Sequence, residues 1–192
     1  MFELQQPNNT DFNSLIIRGE RLHLQSIDES FSQQIFTEFT TEITRYMMPK
    51  PAEVIEDTLD FIQHAKGLMT LGKEVFLVII NTETDEFLGC CGLHGRDENC
   101  TPEFGIWLKK GAHGHKYGVE AIKTLASWAV EHIVFEYATY PVDKDNVSSR
   151  QIAESLGGEV YKELKVTSMA GIVLDEVVYK IPYETIVMAT TK

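Results

Sequence analysis

The sequence predicts one domain of mixed α+β class, and three observations carry that reading. The chain has 192 residues, close to one domain at about 150 residues each. It is 43% hydrophobic and 10% aromatic, the composition of a globular chain rather than a disordered one. Segments of strand-like patterning interleave with segments of helical spacing and give a single strand–helix–strand crossover. A chain this long buries about 70% of its unfolded surface, so it needs neither disulfide nor metal to fold.

Residues 1–14 read as a flexible polar lead-in, and 15–192 as the domain. The stretch LIIRGERLHLQSI (15–27) partly alternates and predicts a strand. Asp28 or Ser30 caps a helix whose apolar positions are Phe31, Ile35, Phe39 and Ile43, ending before Pro49 and Pro51. A second helix carries Ile55, Leu59, Ile62, Ala65 and Met69 and stops near Gly67–Gly72. Strands follow at 75–80 and 87–93, with 81–86 as the hairpin turn, and a third at 103–108. Gly111 to Gly118 is rich in glycine and histidine and opens a long helix near Tyr117. Its stripe is Ile122, Leu125, Ala126, Ala129 and Ile133. A strand at 135–142, a helix at 148–156 closed by Gly157-Gly158, and strands at 159–167 and 172–182 complete the chain.

Lys and Arg total 17 and Asp and Glu 29, a net charge of −12. That charge repels phosphate backbones and anionic lipid, so neither nucleic acid nor membrane is an expected partner. The aliphatic runs, such as 75–80, are too short to span a bilayer. MFELQQPNNT has no basic start of a signal peptide, and a cytoplasmic protein is expected. Cys90 and Cys91 would point to opposite faces of a strand and are poorly placed to bridge. With Cys100 they form no CxxC pair and no zinc spacing, so no metal is expected.

The chemistry concentrates in EFGIWLKKGAHGHKYGVEA (103–121). A strand enters a glycine-bearing turn and then a helix. The first amides of a helix lack partners within it and sit at its positive end, where a phosphate or diphosphate fits. Gly114 and Gly118 would let a bulky anion approach. From 104 to 119 there is no acid, while Lys109, Lys110 and Lys116 supply +3 and His113 and His115 can add to it. The alternative is a solvated basic loop ahead of an ordinary helix. A GxxxxGK[ST] phosphate loop is absent, as is a GxGxxG after the first strand.

This turn resembles the acetyl-CoA-binding motif of the GNAT acetyltransferases, Q/R-x-x-G-x-G/A. More narrowly, WLKKGAHGHKYGVEA is similar to the signature of their ribosomal-protein N-terminal acetyltransferase branch. ITRYMMPKP, LGCCGL and VDKDNVSSRQIAESLGG resemble three further segments of that branch in the same order, so the likeness covers about residues 15–182.

The resemblance implies a twisted, mostly antiparallel sheet flanked by helices, with two central strands splayed apart. It implies that the pantetheine arm pairs with the backbone of the strand bearing Ile106, Trp107 and Leu108. The diphosphate would sit on His113, Gly114, His115, Lys116, Tyr117 and Gly118. His113 takes the motif's Q/R position, Gly114 the next glycine and Gly118 the final small residue. Asn146 and Ser149 take the Asn and Ser positions after the following strand. Lys116 stands where the motif has glycine. A left-handed backbone there would cost lysine about 1–2 kcal/mol. A right-handed one, which the neighbouring lysines favour, would aim the ammonium at the phosphate. Gly158 replaces the branch's phenylalanine, and Ala153 fills the slot where many relatives have a tyrosine acid.

Acetyl transfer from a thioester needs a neutral amine, a held oxyanion and a stabilised thiolate. A protein α-amine titrates near 8 and a lysine near 10.4, so the N-terminal amine needs less help from a base. Glu103, at the start of the cofactor strand, is the candidate base, directly or through a water. A solvated strand-end carboxylate is its bland alternative. Ser149 is the candidate acid towards the thiolate, or else a helix-capping hydroxyl. His94 is a second cleft candidate, and Ser168 and Glu163 occupy the region where some relatives place a base. A backbone amide of the 104–108 strand would hold the thioester oxygen. No Ser/His/Asp or Cys/His set suggests an acyl-enzyme, so direct transfer in a ternary complex is expected.

The expected function is acetyl transfer from acetyl-CoA, the co-substrate, to a primary amine such as a protein N-terminus. The alternatives are a small amine acceptor or a non-catalytic acyl-CoA sensor. The loops at 46–51 and 168–171 would shape the acceptor pocket, and a monomer or homodimer fits equally.

Overall fold

The computed structural model describes residues 1–5, 10–95 and 101–191. Eight strands form one sheet: β1 (Ile16–Arg18), β2 (Leu22–Ser26), β3 (Glu74–Asn81), β4 (Phe87–His94), β5 (Glu103–Leu108), β6 (Tyr137–Asp143), β7 (Glu159–Thr167) and β8 (Val173–Pro182). Their spatial order is β1-β2-β3-β4-β5-β6-β8-β7. Every pairing is antiparallel except β5 with β6. Five helices flank the sheet: α1 (Ser32–Glu38), α2 (Ile55–Thr70), α3 (Tyr117–His132), α4 (Val147–Ser155) and α5 (Tyr183–Thr190).

The helices separate by face. α1 and α2 pack on β3 and β4, while α3 packs on β1, β2, β4 and β5 and against α4 and α5. Each helix does so through its apolar stripe. α2 buries Thr58, Ile62, Ala65 and Met69; α3 buries Ala121, Ile122, Leu125, Ala126 and Ala129. Strands β3 and β4 are covered on both faces, which explains their near-continuous apolar runs. Cys90 and Cys91 alternate across β4 as expected, and Cys100 lies outside the described residues.

Four expectations need correction. The 15–27 strand is two strands, because the chain reverses at 19–21 and β1 folds back on β2. The first helix stops at Glu38 instead of running to Ile43, and a separate 3-10 turn covers Ile43–Tyr46. Thr37, Thr40, Thr41, Ile43 and Thr44 are β-branched and weak helix formers, and Phe39 turns aside to pack on Trp107 at 4.9 Å. The chain does not end on the 172–182 strand: helix α5 follows Pro182 and buries Ile186 fully. The lead-in, finally, is not loose where it is described. Phe2 and Phe12 are 4% and 3% exposed, and Phe12 packs edge-on against Trp128.

Candidate active site

Strands β5 and β6 meet at one register pair, Glu103 with Thr139. The Thr139 amide donates to Pro102 O at 2.8 Å. Beyond that vertex they part, β5 keeping to β4 and β6 to β8. A wedge opens between them. Alternate N–H and C=O groups of an antiparallel strand point away from its partner, so β5 presents main-chain groups to the wedge. Ile106 and Leu108 face α3, beside the Cα of Gly118, and Trp107 faces Phe39 and Phe87 on the α1 side.

At the wide end of the wedge the chain turns into α3. A 3-10 turn at Lys110–Ala112 leads to His113, whose Nε2–H donates to Leu108 O at 3.0 Å and ties the turn to the end of β5. Gly114 has φ +81°, a left-handed backbone with open space around it. Lys116, the N-cap of α3, has φ +63° and ψ 15° and gives no side-chain cap. The expected right-handed lysine is therefore overturned. The neighbouring lysines are engaged elsewhere, Lys109 with Glu86 at 2.7 Å and Lys110 with Glu42 at 2.8 Å. With no cap from Lys116, the opening amides of α3 at Tyr117, Gly118 and Val119 have neither a side-chain cap nor intrahelical partners.

Arg21, outside every local motif, braces this turn. Its side chain pairs with Glu120 at 2.7 Å, donates to His115 O at 3.2 Å and lies 4.8 Å over the Tyr117 ring. Asn81 donates to the Tyr117 hydroxyl at 3.1 Å. Only the strand–turn–helix motif is local in sequence. Its braces come from 36 and 94 residues away.

On the other arm of the wedge, α4 starts at the end of β6. Asn146 is its N-cap and accepts from the Ser149 amide at 3.2 Å, so Ser149 is not the cap. The Ser149 hydroxyl lies 2.8 Å from the Tyr140 phenol on β6. Tyr140 is 2% exposed, and burial pushes its phenol well above the usual range against a smaller opposing pull from Ser149. The phenol keeps its proton, and either hydroxyl of the pair can donate to the other. Ala153 leaves its slot without a hydroxyl, and the phenol nearest Ser149 comes from β6, at a spacing the motif does not contain. Gly158 also has a structural reason. A Cβ there would come 2.9 Å from Ala153 O and 3.0 Å from Ile181 Cγ1, so no phenylalanine fits.

Glu103 stands at the vertex, and Asp143 of β6 pairs with Glu176 of β8 four residues beyond it. Glu176 is raised above the usual carboxyl range by burial first, then by the charges of Glu103 and Asp143. His94 stands beside Glu103 across the sheet, its Nδ1 2.5 Å from Glu74 Oε2. The two loops named for the acceptor pocket touch: the Met169 amide donates to Met48 O at 2.8 Å. Near them a cavity of about 250 Å³ is lined by Arg45, Tyr46, Asp143, Asp145 and residues 172–175. Ser168 is buried in its turn, and Glu163 lies on β7, two strands from the wedge. Among the described residues no His, Cys, Asp or Glu group is placed to hold a metal, and no helix is long and apolar enough to cross a membrane.

A splayed parallel pair with a helix start at its open end defines an acyl-CoA acetyltransferase fold. The model of the acetyltransferase (GNAT) domain matches residues 21–159, and the chain belongs to that family. It is an acetyl-CoA-dependent N-acetyltransferase. Three similar solved structures agree in fold. A GNAT-family acetyltransferase from Bacillus anthracis is 16% identical with a TM-score of 0.75, covering 88% of this chain and 99% of its own. The ribosomal L7/L12 α-N-protein acetyltransferase RimL, in complex with coenzyme A, is 16% identical at TM-score 0.74, covering 88% and 98%. The microcin C7 self-immunity acetyltransferase MccE, with acetyl-CoA and AMP, is 18% identical at 0.75, covering 92% and 97%. No curated protein matches the sequence.

Proposed function

We propose that this enzyme acetylates a primary amine, a protein N-terminal amine first among them, by direct transfer in a ternary complex in the cytoplasm. One observation carries the reading: a single wedge runs from the uncapped start of α3 to Glu103, with Tyr140–Ser149 on its far arm. The groups present fit acetyl-CoA. The α3 amides at Tyr117–Val119, with His113, Gly114, His115 and Lys116 around them, suit the diphosphate. The free edge of β5 at Ile106–Leu108 suits the pantetheine amides, and a β5 amide the thioester oxygen. Asn146 keeps Ser149 at the mouth of α4 by capping that helix. Ser149, backed by Tyr140, protonates the departing thiolate, and Glu103 meets the amine as base, directly or through a water.

RimL, with this fold, is by its description an α-N-protein acetyltransferase, which supports an N-terminal acceptor. The lower basicity of an α-amine supports it too. The carboxylates Glu103, Asp143 and Glu176 favour an acceptor that arrives as a cation. The cavity of about 250 Å³ beside Asp143 and Asp145 supports a second reading, a small cationic amine. The test is CoA release on mixing protein and acetyl-CoA with spermidine, glucosamine, lysine, and tripeptides beginning with Ser, Ala or Met. Release with tripeptides supports the leading reading; release with the small amines alone transfers support to the second. Saturable acetyl-CoA binding without release for any acceptor overturns both and leaves a sensor.

A further inference from the structure

The register of the sheet lines up Glu74 of β3, His94 of β4 and Glu103 of β5 as direct cross-strand neighbours, so all three project from the α1–α2 face. The next row on that face is Phe76, Gly92 and Gly105. His94 leans over the two glycines. A Cβ on Gly105 would come 2.9 Å from His94 Nε2, and one on Gly92 would come 3.2 Å from Cε1. The Phe76 ring meets the imidazole edge-on at 5.1 Å, and Phe61 of α2 backs Phe76. Glu74 and His94 are mostly covered, 14% and 17% exposed, with Nδ1 and Oε2 at 2.5 Å.

That contact sets the tautomer. A carboxylate oxygen accepts, so Nδ1–H donates to Glu74 and Nε2 carries the free lone pair. The lone pair lies over the backbone of β5 at Gly105, two residues from the vertex and on the strand proposed to hold the thioester. A histidine kept only for packing has no need of a largely covered carboxylate on one nitrogen and a pair of glycines under the other.

We propose that His94, oriented by Glu74, is the base that receives the acceptor's proton, with Glu103 drawing the ammonium to the vertex and relaying through a water. This rests on the acetyl-transfer reading above and gives the water route from Glu103 an end point. An imidazole is also better matched than a carboxylate to an amine that must lose a proton near neutral pH. In the step, R–NH3+ gives one proton to His94 Nε2, and the freed nitrogen pair forms the C–N bond to the thioester carbonyl carbon. The C–S bond breaks with its pair on sulfur. As the amide forms, the nitrogen's second proton passes to Ser149, whose hydroxyl gives its own proton to the departing sulfur, so the thiol leaves neutral and Ser149 is restored. His94 returns its proton to solvent. Glu74 touches no reacting atom; it is a positioning residue.

The experiment is the pH profile of kcat/KM for CoA release with the best acceptor of the panel above, for wild type, His94→Ala, Glu74→Gln and Gly105→Ala. Acetyl-CoA affinity and thermal midpoint are measured alongside. His94→Ala is expected to lower kcat/KM about 100-fold, abolish the acid limb of the profile, keep acetyl-CoA affinity within twofold, and recover activity with added imidazole. Glu74→Gln is expected to lower kcat more than it raises KM and to shift the acid limb. Gly105→Ala displaces the imidazole and should resemble a weaker His94→Ala. A His94→Ala protein with wild-type kcat/KM and profile, or a loss imidazole does not restore, overturns the proposal. Should His94→Ala not fold, Glu74→Gln decides in its place, an unshifted profile overturning the proposal. Wild type is assayed first, so no CoA release from it counts against the acetyl-transfer reading, whereas an active wild type with an equally active His94→Ala counts against His94 alone.

Discussion

The Tyr140 phenol and the Ser149 hydroxyl lie 2.8 Å apart, one buried on β6 and the other at the first turn of α4. Asn146 caps that helix, so Ser149 has no capping duty to discharge. Ser149→Ala and Tyr140→Phe should therefore each lower kcat by about 10- to 100-fold. Acetyl-CoA affinity should stay within twofold. Asn146→Ala should behave differently, losing about 1 kcal/mol of stability in urea unfolding as a lost cap does. Steady-state kinetics and denaturation on the three variants check this together.

Glu176 carries a pH signature of its own. Its carboxyl is raised in the folded protein by burial and by the charges of Glu103 and Asp143. A raised carboxyl gives its stability at low pH and loses it as the pH climbs from the unfolded value of about 4.5 through the folded one. At neutral pH the ionised group therefore works against the fold. Glu176→Gln should be more stable than wild type at pH 7, with the difference shrinking towards pH 4, as read by urea midpoints. The same variant should raise KM for a cationic acceptor.

Lys116 holds a left-handed backbone at φ +63°. Lys116→Gly should stabilise the protein by about 1 kcal/mol, measured by urea unfolding. Lys116→Ala keeps the strain and removes the charge, so its stability should stay near wild type while acetyl-CoA binding loses part of its salt dependence.

Burial pushes the Cys91 thiol and the Tyr140 phenol upward. In the unfolded chain these groups release protons near 9 and 10, and the folded protein holds them longer. Unfolding then releases protons above pH 9, so stability should fall as the pH rises beyond it. Tyr140→Phe should flatten the part above pH 10. Iodoacetamide at pH 8 should label Cys91 only when urea is added, with peptide mass spectrometry as the readout.

The local layers of this fold were legible because they repeat at short range. The stripe of α3, the 81–86 hairpin turn and the strand–turn–helix at 103–121 each follow from spacing within a few residues. What the sequence hid depends on distant partners. Arg21 reaches the α3 turn from 94 residues upstream, and Tyr140 meets Ser149 only because β6 and α4 converge. The backbone of Lys116 was misread from charge alone. Lys109 and Lys110 look like phosphate ligands in a row of letters, yet each finds a carboxylate elsewhere in the fold. His94 was visible as a histidine after a strand, but its meaning comes from Glu74, 20 residues away, and from the register that pairs them.

The most direct test of the account is a crystal structure of the protein with coenzyme A. The diphosphate oxygens should lie about 3 Å from the amides at the start of α3, with the pantetheine arm running along β5 towards Glu103. A coenzyme bound elsewhere, with those amides turned to bulk solvent, would contradict it.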